Sequence, residues 1–351
     1  MEKKKILIID DSALMRRVLS GIIESDERFC VGGTAADGLD ALEVLKKENN
    51  QFDGIILDIN MPKMNGLEFL QELNQQNIQI LVLIVSTLAK EGARETILAL
   101  EYGAFDFVTK PDSFAQAKSD NFKKGVLRAL SAGFFKEEKH FEPVLRKNET
   151  AGRPGRTGNG RKLVALACST GGPRALQKLI PKLPKNLDAA FLLVQHMPEG
   201  FTHSLAGRLD EMSEIHVKEA EDGERIEKGT VYIAKGGHHM RLKKKDAGYR
   251  LSLSDEPPRN ALRPCADIMY ESLAELDYQE IVCVVMTGMG SDATQGIRQL
   301  SEKNNTYVIA QDAATSTVYG MPRTIAEAGL VDEVVPLEKI ADAITRHVGV
   351  R

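Results

Sequence analysis

In the first third of the chain, polar residues stand at the ends of short apolar runs. Asp10 and Asp11 follow ILII (6–9), Asp58 closes the run that begins GIIL (54–57), Ser86 closes ILVLIVS (80–86), and Lys110 comes shortly after FDFV (105–108). Carboxylates gathered in one place repel each other, and a hard divalent cation such as Mg2+, held by oxygen ligands, relieves that repulsion. Mg2+ bridges carboxylate to phosphate and a lysine adds a point charge, so the set suits an acyl phosphate. Asp58 is the best-placed acceptor, because Asn60-Met61-Pro62 turns the chain sharply after it. Ser86 then offers a hydroxyl donor to the added phosphoryl group. Taken singly, Asp10 and Asp11 would be acids at the start of a helix near Ser12, and Lys110 an exposed loop lysine. Their recurrence at four strand ends favours the chemical role.

A second set lies further on. KLVALAC (162–168) runs into Ser169-Thr170-Gly171-Gly172-Pro173 and then a helical pattern. A strand turning sharply into a helix exposes its terminal side chain beside backbone N–H groups that stabilise an oxyanion. A serine nucleophile needs a base. AAFLLVQ (189–195) delivers His196 to its carboxyl end, and EIVCVVM (280–286) leads into Thr287-Gly288-Met289-Gly290-Ser291-Asp292. In a parallel sheet these ends face one crevice, so Ser169, His196 and Asp292 can form a triad. Other roles stay open on residues alone: a phosphate-binding turn at Ser169, a helix N-cap at Asp292, a strand-end histidine without a task. Cys168 is the rival nucleophile, but strand alternation points it away from the serine, into the core. The chain has neither a G-x-S-x-G elbow nor a G-x-G-x-x-G fingerprint, which argues against the standard α/β-hydrolase and dinucleotide patterns.

These residues need two frameworks to position them. From Lys5 to about Ala132, the strand-like runs, with Val31 to Ala35 as a further one, alternate with helical patterns at Ala13–Glu24, Gly38–Lys47, Leu67–Gln75, Glu91–Tyr102 and Phe114–Leu130. Five βα repeats predict a doubly wound, flavodoxin-like domain over residues 1–132. Periodicity dissolves over 133–161, where NETAGRPGRTGNGRK predicts a mildly basic linker. Over 162–351, runs at 162–168, 189–195, 280–286, 306–311 and 333–337 predict a second α/β parallel-sheet domain. Turn signals between Ile215 and Ser254 predict antiparallel hairpins inserted in it.

Bulk properties exclude several classes. A chain of 351 residues is too long for one ordinary core. With 42% hydrophobic and 27% charged residues it is neither disordered nor fibrous, and a net charge of -4 gives no basic field for nucleic acid. Its 4 cysteines lack C-x-x-C pairing, which points to a reducing cytoplasm and no zinc framework. No apolar stretch is long enough for a membrane span.

The motifs carry two resemblances. ILIIDDS (6–12), ILDINMPKMNG (56–66), VST (85–87) and FVTKP (107–111) resemble the receiver domain of two-component response regulators. The resemblance implies Asp58 as phosphoacceptor, Asp11, Asp58 and the Asn60 carbonyl as direct Mg2+ ligands, and Asp10 acting through water. It further implies Ser86, or its neighbour Thr87, as the switch hydroxyl, Phe107 as the aromatic switch and Lys110 as the phosphoryl partner. ACSTGGP (167–173), QHMPEGFT (195–202), VYIAKGGHHM (231–240), TGMGSD (287–292) and QDAATSTVYGMPR (311–323) are similar to the catalytic domain of the chemotaxis methylesterase CheB family. That likeness implies Ser169, His196 and Asp292 as the triad, with Thr170 and Met289 near the oxyanion and no cofactor for hydrolysis. It also implies methyl-accepting chemotaxis receptors as substrates, through glutamate γ-methyl esters and certain glutamines, and a chemotaxis histidine kinase as phosphodonor. The chain departs from the family's usual residues at Ala293, where glycine is common, and near Ala314, where an acid is common.

Overall fold

The computed structural model describes residues 2–47, 51–87, 90–111, 119–135, 146, 160–245 and 248–351. The chain divides into two compact units, Met1–Phe135 and Lys136–Arg351.

The first unit is a five-stranded parallel sheet in the order β2-β1-β3-β4-β5. Its strands are β1 (Lys4–Ile9), β2 (Phe29–Ala35), β3 (Gly54–Asp58), β4 (Leu81–Ser86) and β5 (Asp106–Thr109). The helices are α1 (Ala13–Glu24), α2 (Gly38–Lys47), α3 (Gly66–Gln75), α4 (Lys90–Glu101) and α5 (Asp120–Phe134). Alternation along the strands sorts side chains to two covered faces, which is why the runs read as continuously apolar. Ile6, Ile8, Ile56, Leu83 and Val85 pack with Leu19 and Ile23 of α1 and Val126 and Leu130 of α5. Their neighbours Leu7, Ile9, Ile55 and Leu57 are equally buried. The helix expected over Phe114–Leu130 instead begins at Asp120, behind the N-cap of Ser119, whose hydroxyl accepts the Phe122 amide. Residues 112–118 lie outside the described residues.

The second unit carries a seven-stranded parallel sheet in the order β14-β13-β12-β6-β7-β9-β8. The strands are β6 (Lys162–Cys168), β7 (Ala189–Gln195), β8 (His216–Glu219), β9 (Thr230–Ile233), β12 (Glu280–Val285), β13 (Thr306–Gln311) and β14 (Glu333–Val335). Its helices are α6 (Gly172–Leu179), α7 (Phe201–Met212), α8 (Ala266–Leu273), α9 (Thr294–Lys303), α10 (Met321–Glu327) and α11 (Leu337–Val348). From β6 the chain winds outward through β7, then returns to β12 on the other side, so the topological switch point lies at β6. Open parallel sheets bind ligands there, at the carboxyl ends of the strands.

The region expected to form hairpins is split. β10 (His239–Lys245) and β11 (Gly248–Ser254) do form an antiparallel hairpin, but β8 and β9 pair in parallel and extend the main sheet. Most of the expected linker, 136–145 and 147–159, lies outside the described residues. Arg146 within it is seated on the second unit, with its amide on Val331 O (2.8 Å) and its guanidinium on Ser301 Oγ (3.0 Å).

Candidate functional sites

In the first unit, register brings the expected residues together. Ile9 pairs with Leu57, Asp58 with Val85, and Ser86 with Thr109, so the residues at or just past those positions converge at one sheet end. Lys110 Nζ donates to Asp58 Oδ2 at 2.7 Å and lies 2.8 Å from Asp10 Oδ2. Lys110 thus bridges the two buried carboxylates, with Asp10 Oδ2 held by the ion pair alone. Asp58 Oδ1 accepts the Ile59 amide at 2.9 Å. Burial and the Asp10 charge raise the Asp58 carboxyl against the pull of Lys110, and its pKa ends above the ordinary value. Burial works against the Lys110 charge, but Asp58 and Asp10 outweigh it and hold the ammonium protonated.

Asp10, Asp11 and Asp58 each bring a carboxylate oxygen within 4.8 Å of the others, with Asp11 exposed. An all-oxygen set of three carboxylates fits Mg2+, a hard cation that keeps several waters. Neither Asp10 nor Asp11 caps α1; Ser12 does, accepting the Met15 amide, while its own amide goes to Asp10 Oδ1 at 2.9 Å. Ser86 is buried and its Oγ donates to Gly92 O at 3.3 Å; Thr87 is exposed. Phe107 is half-buried on β5, and Asn60 is exposed just past β3.

In the second unit, three strand ends meet at the switch point. Cys168 pairs with Gln195 across β6 and β7, which sets Ser169 opposite His196. The Ser169 amide donates to Thr287 O at 3.0 Å, tying it to the loop after β12. His196 Nε2 lies 2.7 Å from Asp292 Oδ2. Ser169 Oγ and His196 are not hydrogen-bonded to each other here; such contacts are often long without substrate and tighten when it binds. Ser169 is buried, with 8% of its surface exposed.

Asp292 does not cap its own helix, α9, whose N-cap is Ala293. Its carboxylate sits instead at the N-terminus of α8. Oδ2 accepts the Ala266 amide (2.6 Å), and Oδ1 accepts the amides of Asp267 (2.9 Å) and Ala293 (3.0 Å). The Cys265 thiol also donates to Oδ1, at 3.2 Å. Burial disfavours the anion, but His196 and these amides more than offset it and hold Asp292 well below the usual carboxylate range. Ala293 adopts φ 84°, the left-handed region, which gives a physical reason for the glycine usual there.

The Thr170 amide donates to no group among the described residues, while its carbonyl is held by Thr287 Oγ1 at 2.9 Å. Gly171 turns the chain into α6 at φ 75°, and a Cβ there would lie 2.4 Å from Thr317 Cβ. Gly288 packs against the serine so closely that a Cβ would lie 2.8 Å from Ser169 Cβ and 2.4 Å from Met321 Sδ. Cys168 is fully buried, its thiol donates to Gln195 Oε1 at 3.0 Å, and burial pushes its pKa far up, which leaves it inert.

Several supports escaped the sequence reasoning. Gln195 is buried, and its amide donates to Ser169 O (3.0 Å) and His196 O (3.3 Å), fixing both residues from below. A glutamine closing an otherwise apolar run was the available signal, since a buried amide must find partners. Thr287 and Gln311 form a second brace, Gln311 Oε1 taking the Thr287 amide at 2.8 Å. Nothing in the local sequence marked Asp267, which is buried beside Asp292.

The fold and the two crevices define a class: a receiver joined to a parallel-sheet hydrolase domain. Comparison with known proteins agrees and narrows it. The family model for CheB methylesterase matches residues 164–344, and that for the response regulator receiver domain matches residues 6–119. A protein-glutamate methylesterase/protein-glutamine glutaminase of Halalkalibacterium halodurans is 42% identical over 98% of each chain. The similarly named protein of Bacillus subtilis is 41% identical over 97% of each. The crystal structure of the Thermotoga maritima CheB methylesterase catalytic domain matches with TM-score 0.52 and 43% identity, over 54% of this chain and 99% of that one. The chain belongs to the CheB methylesterase family, with a response regulator receiver domain ahead of its catalytic domain. A receiver domain implies phosphorylation by a histidine kinase, typically with Mg2+, and the methylesterase domain implies chemoreceptor substrates. No helix among the described residues is long and apolar enough to cross a membrane.

Proposed function

We propose that this chain is a phosphorylation-activated, cytoplasmic serine hydrolase that removes γ-methyl esters from glutamates of methyl-accepting chemotaxis receptors and deamidates certain of their glutamines. The observation that carries the chemistry is the buried His196–Asp292 pair, 2.7 Å apart, at the strand end beside Ser169. Ser169 Oγ attacks the ester carbonyl while its proton passes to the imidazole nitrogen remote from Asp292. The carbonyl oxygen becomes an oxyanion, held by the Thr170 amide and the turn at Met289. His196 then protonates the leaving methoxy oxygen, or the amide nitrogen of a glutamine, so that methanol or ammonia departs and the acyl-enzyme remains. Water attacks that acyl group and gives a proton to His196, which passes it to Ser169 Oγ as the acyl bond breaks, leaving the glutamate carboxylate.

In the receiver, Asp58 accepts the phosphoryl group from a chemotaxis histidine kinase. Asp11, Asp58 and the Asn60 carbonyl would hold Mg2+, with Asp10 acting through water; the ion, when bound, offsets phosphoryl charge. Lys110, already on Asp58, turns to the added oxygens, and Ser86, rather than exposed Thr87, supplies the switch hydroxyl with Phe107 following. The added charge raises hydrolysis in the second domain.

Ser169→Ala tests the chemistry. Methanol release from methylated receptor is expected to vanish while thermal unfolding stays unchanged; retained turnover would overturn the nucleophile assignment.

A further inference from the structure

The turn that carries Asp292 is fastened to α8 in both directions. Asp292, ahead of α9, accepts the first two amides of α8, from Ala266 and Asp267. Asp267, in the first turn of α8, returns the bond: its Oδ1 accepts the Gly296 amide in the first turn of α9 at 2.7 Å. Each helix N-terminus is thus capped by a carboxylate from the other. The helices touch at Gly296, where a Cβ would lie 2.6 Å from Asp267 O. Asp267 is 6% exposed, and its carboxylate, that of Asp292 and the Cys265 thiol share a cluster within 4.8 Å.

Two buried carboxylates this close repel one another, and an uncharged amide oxygen could accept the Gly296 amide equally well. The cap therefore does not account for the charge. The groups acting on Asp267 are Asp292 with His196 behind it, Cys265, Glu271 one turn along α8, and Arg259, which Glu271 holds at 2.6 Å. The hairpin strand β10 on the other side of α8 contributes apolar Met240 and Leu242 to the core. Burial, Asp292 and Glu271 push the Asp267 carboxyl up, against the Gly296 amide and Arg259.

We propose that Asp267 is a positioning residue for the hydrolysis: it locks the Asp292 turn against α8, and its negative charge adds to that of Asp292 in favouring protonated His196. The proposal rests on Ser169, His196 and Asp292 forming the triad. A second anion behind the aspartate favours the imidazolium that builds up as Ser169 loses its proton.

The test uses the full chain with Asp267→Asn, which keeps the cap but removes the charge, and Asp267→Ala, which removes both. Methanol release from vesicles carrying a methyl-esterified chemoreceptor is followed against pH, and the His196 imidazole is titrated by NMR. Asp267→Asn is expected to move the acid limb of kcat/KM, and the His196 titration with it, about 0.5 to 1 pH unit lower. Asp267→Ala is expected to lower kcat about tenfold further, so that the amide restores what the loss of the cap removes. An acid limb and an imidazole titration that stay in place in Asp267→Asn would overturn the proposal. Ser169→Ala run alongside separates the two levels: turnover there sinks the triad itself, whereas an inactive Ser169→Ala with an unmoved Asp267→Asn profile sinks only the role of Asp267.

Discussion

Asp292 Oδ2 is shared by two partners, His196 Nε2 at 2.7 Å and the Ala266 amide at 2.6 Å. The amide fixes the oxygen, and the oxygen fixes the ring. An aspartate free to rotate would leave the imidazole free to turn its other nitrogen away from Ser169.

Asp292→Asn is expected to lower kcat about 10³- to 10⁴-fold, because a carboxamide cannot stabilise the imidazolium and selects the wrong tautomer. Its NH2 would also face a backbone donor, at a cost of about 1–3 kcal/mol in stability. Single-turnover hydrolysis with chemical denaturation measures both; a loss under tenfold would contradict the role of Asp292.

Gly288→Ala probes the fit behind the nucleophile. The added methyl must displace Ser169 or Met321, since it would lie 2.8 Å from Ser169 Cβ and 2.4 Å from Met321 Sδ. A displacement near 1 Å at a nucleophile is expected to cost about 100-fold in kcat. Unchanged kcat would show that the loop after β12 gives way without moving the serine.

The pH dependence of stability reports on Asp267. Burial and the Asp292 charge push its folded carboxyl up to about 6 from the ordinary carboxylate value, so the fold favours the protonated acid. The stability it contributes is full below about pH 4 and lost as pH rises to about 6. Asp292 has the opposite sign: held low, it contributes above its unfolded value and loses that contribution as pH falls. The difference in Tm between Asp267→Asn and the parent is therefore expected to grow by a few degrees from pH 4 to pH 6 and then level off. A flat difference would contradict the buried charge.

Residues that end apolar runs were legible because a parallel sheet sends all such ends to one edge; Asp58, Lys110, Ser169 and His196 were found that way. Asp292 lies seven residues beyond β12, so its position alone leaves a helix N-cap open beside a place in the triad. The direction of β8 and β9 was not legible. Short alternating strands read the same in parallel and antiparallel pairing, and the turns at DGER and EKGT suggested hairpins. In the structure those turns lie on a crossover, residues 220–229, that returns the chain to the same direction and bridges Arg225 to Arg250 on the hairpin. Asp267 was illegible for another reason: its partner, the Gly296 amide, is 29 residues away, and only the packing of α8 on α9 brings the two together.

The coupling of the two domains is tested most directly by methanol release from methylated receptor, with and without a small phosphodonor and Mg2+, in the parent chain and in Asp58→Asn. The parent is expected to be stimulated about tenfold or more and Asp58→Asn not at all, with its unstimulated rate retained. Equal stimulation of both chains would contradict Asp58 as the switch.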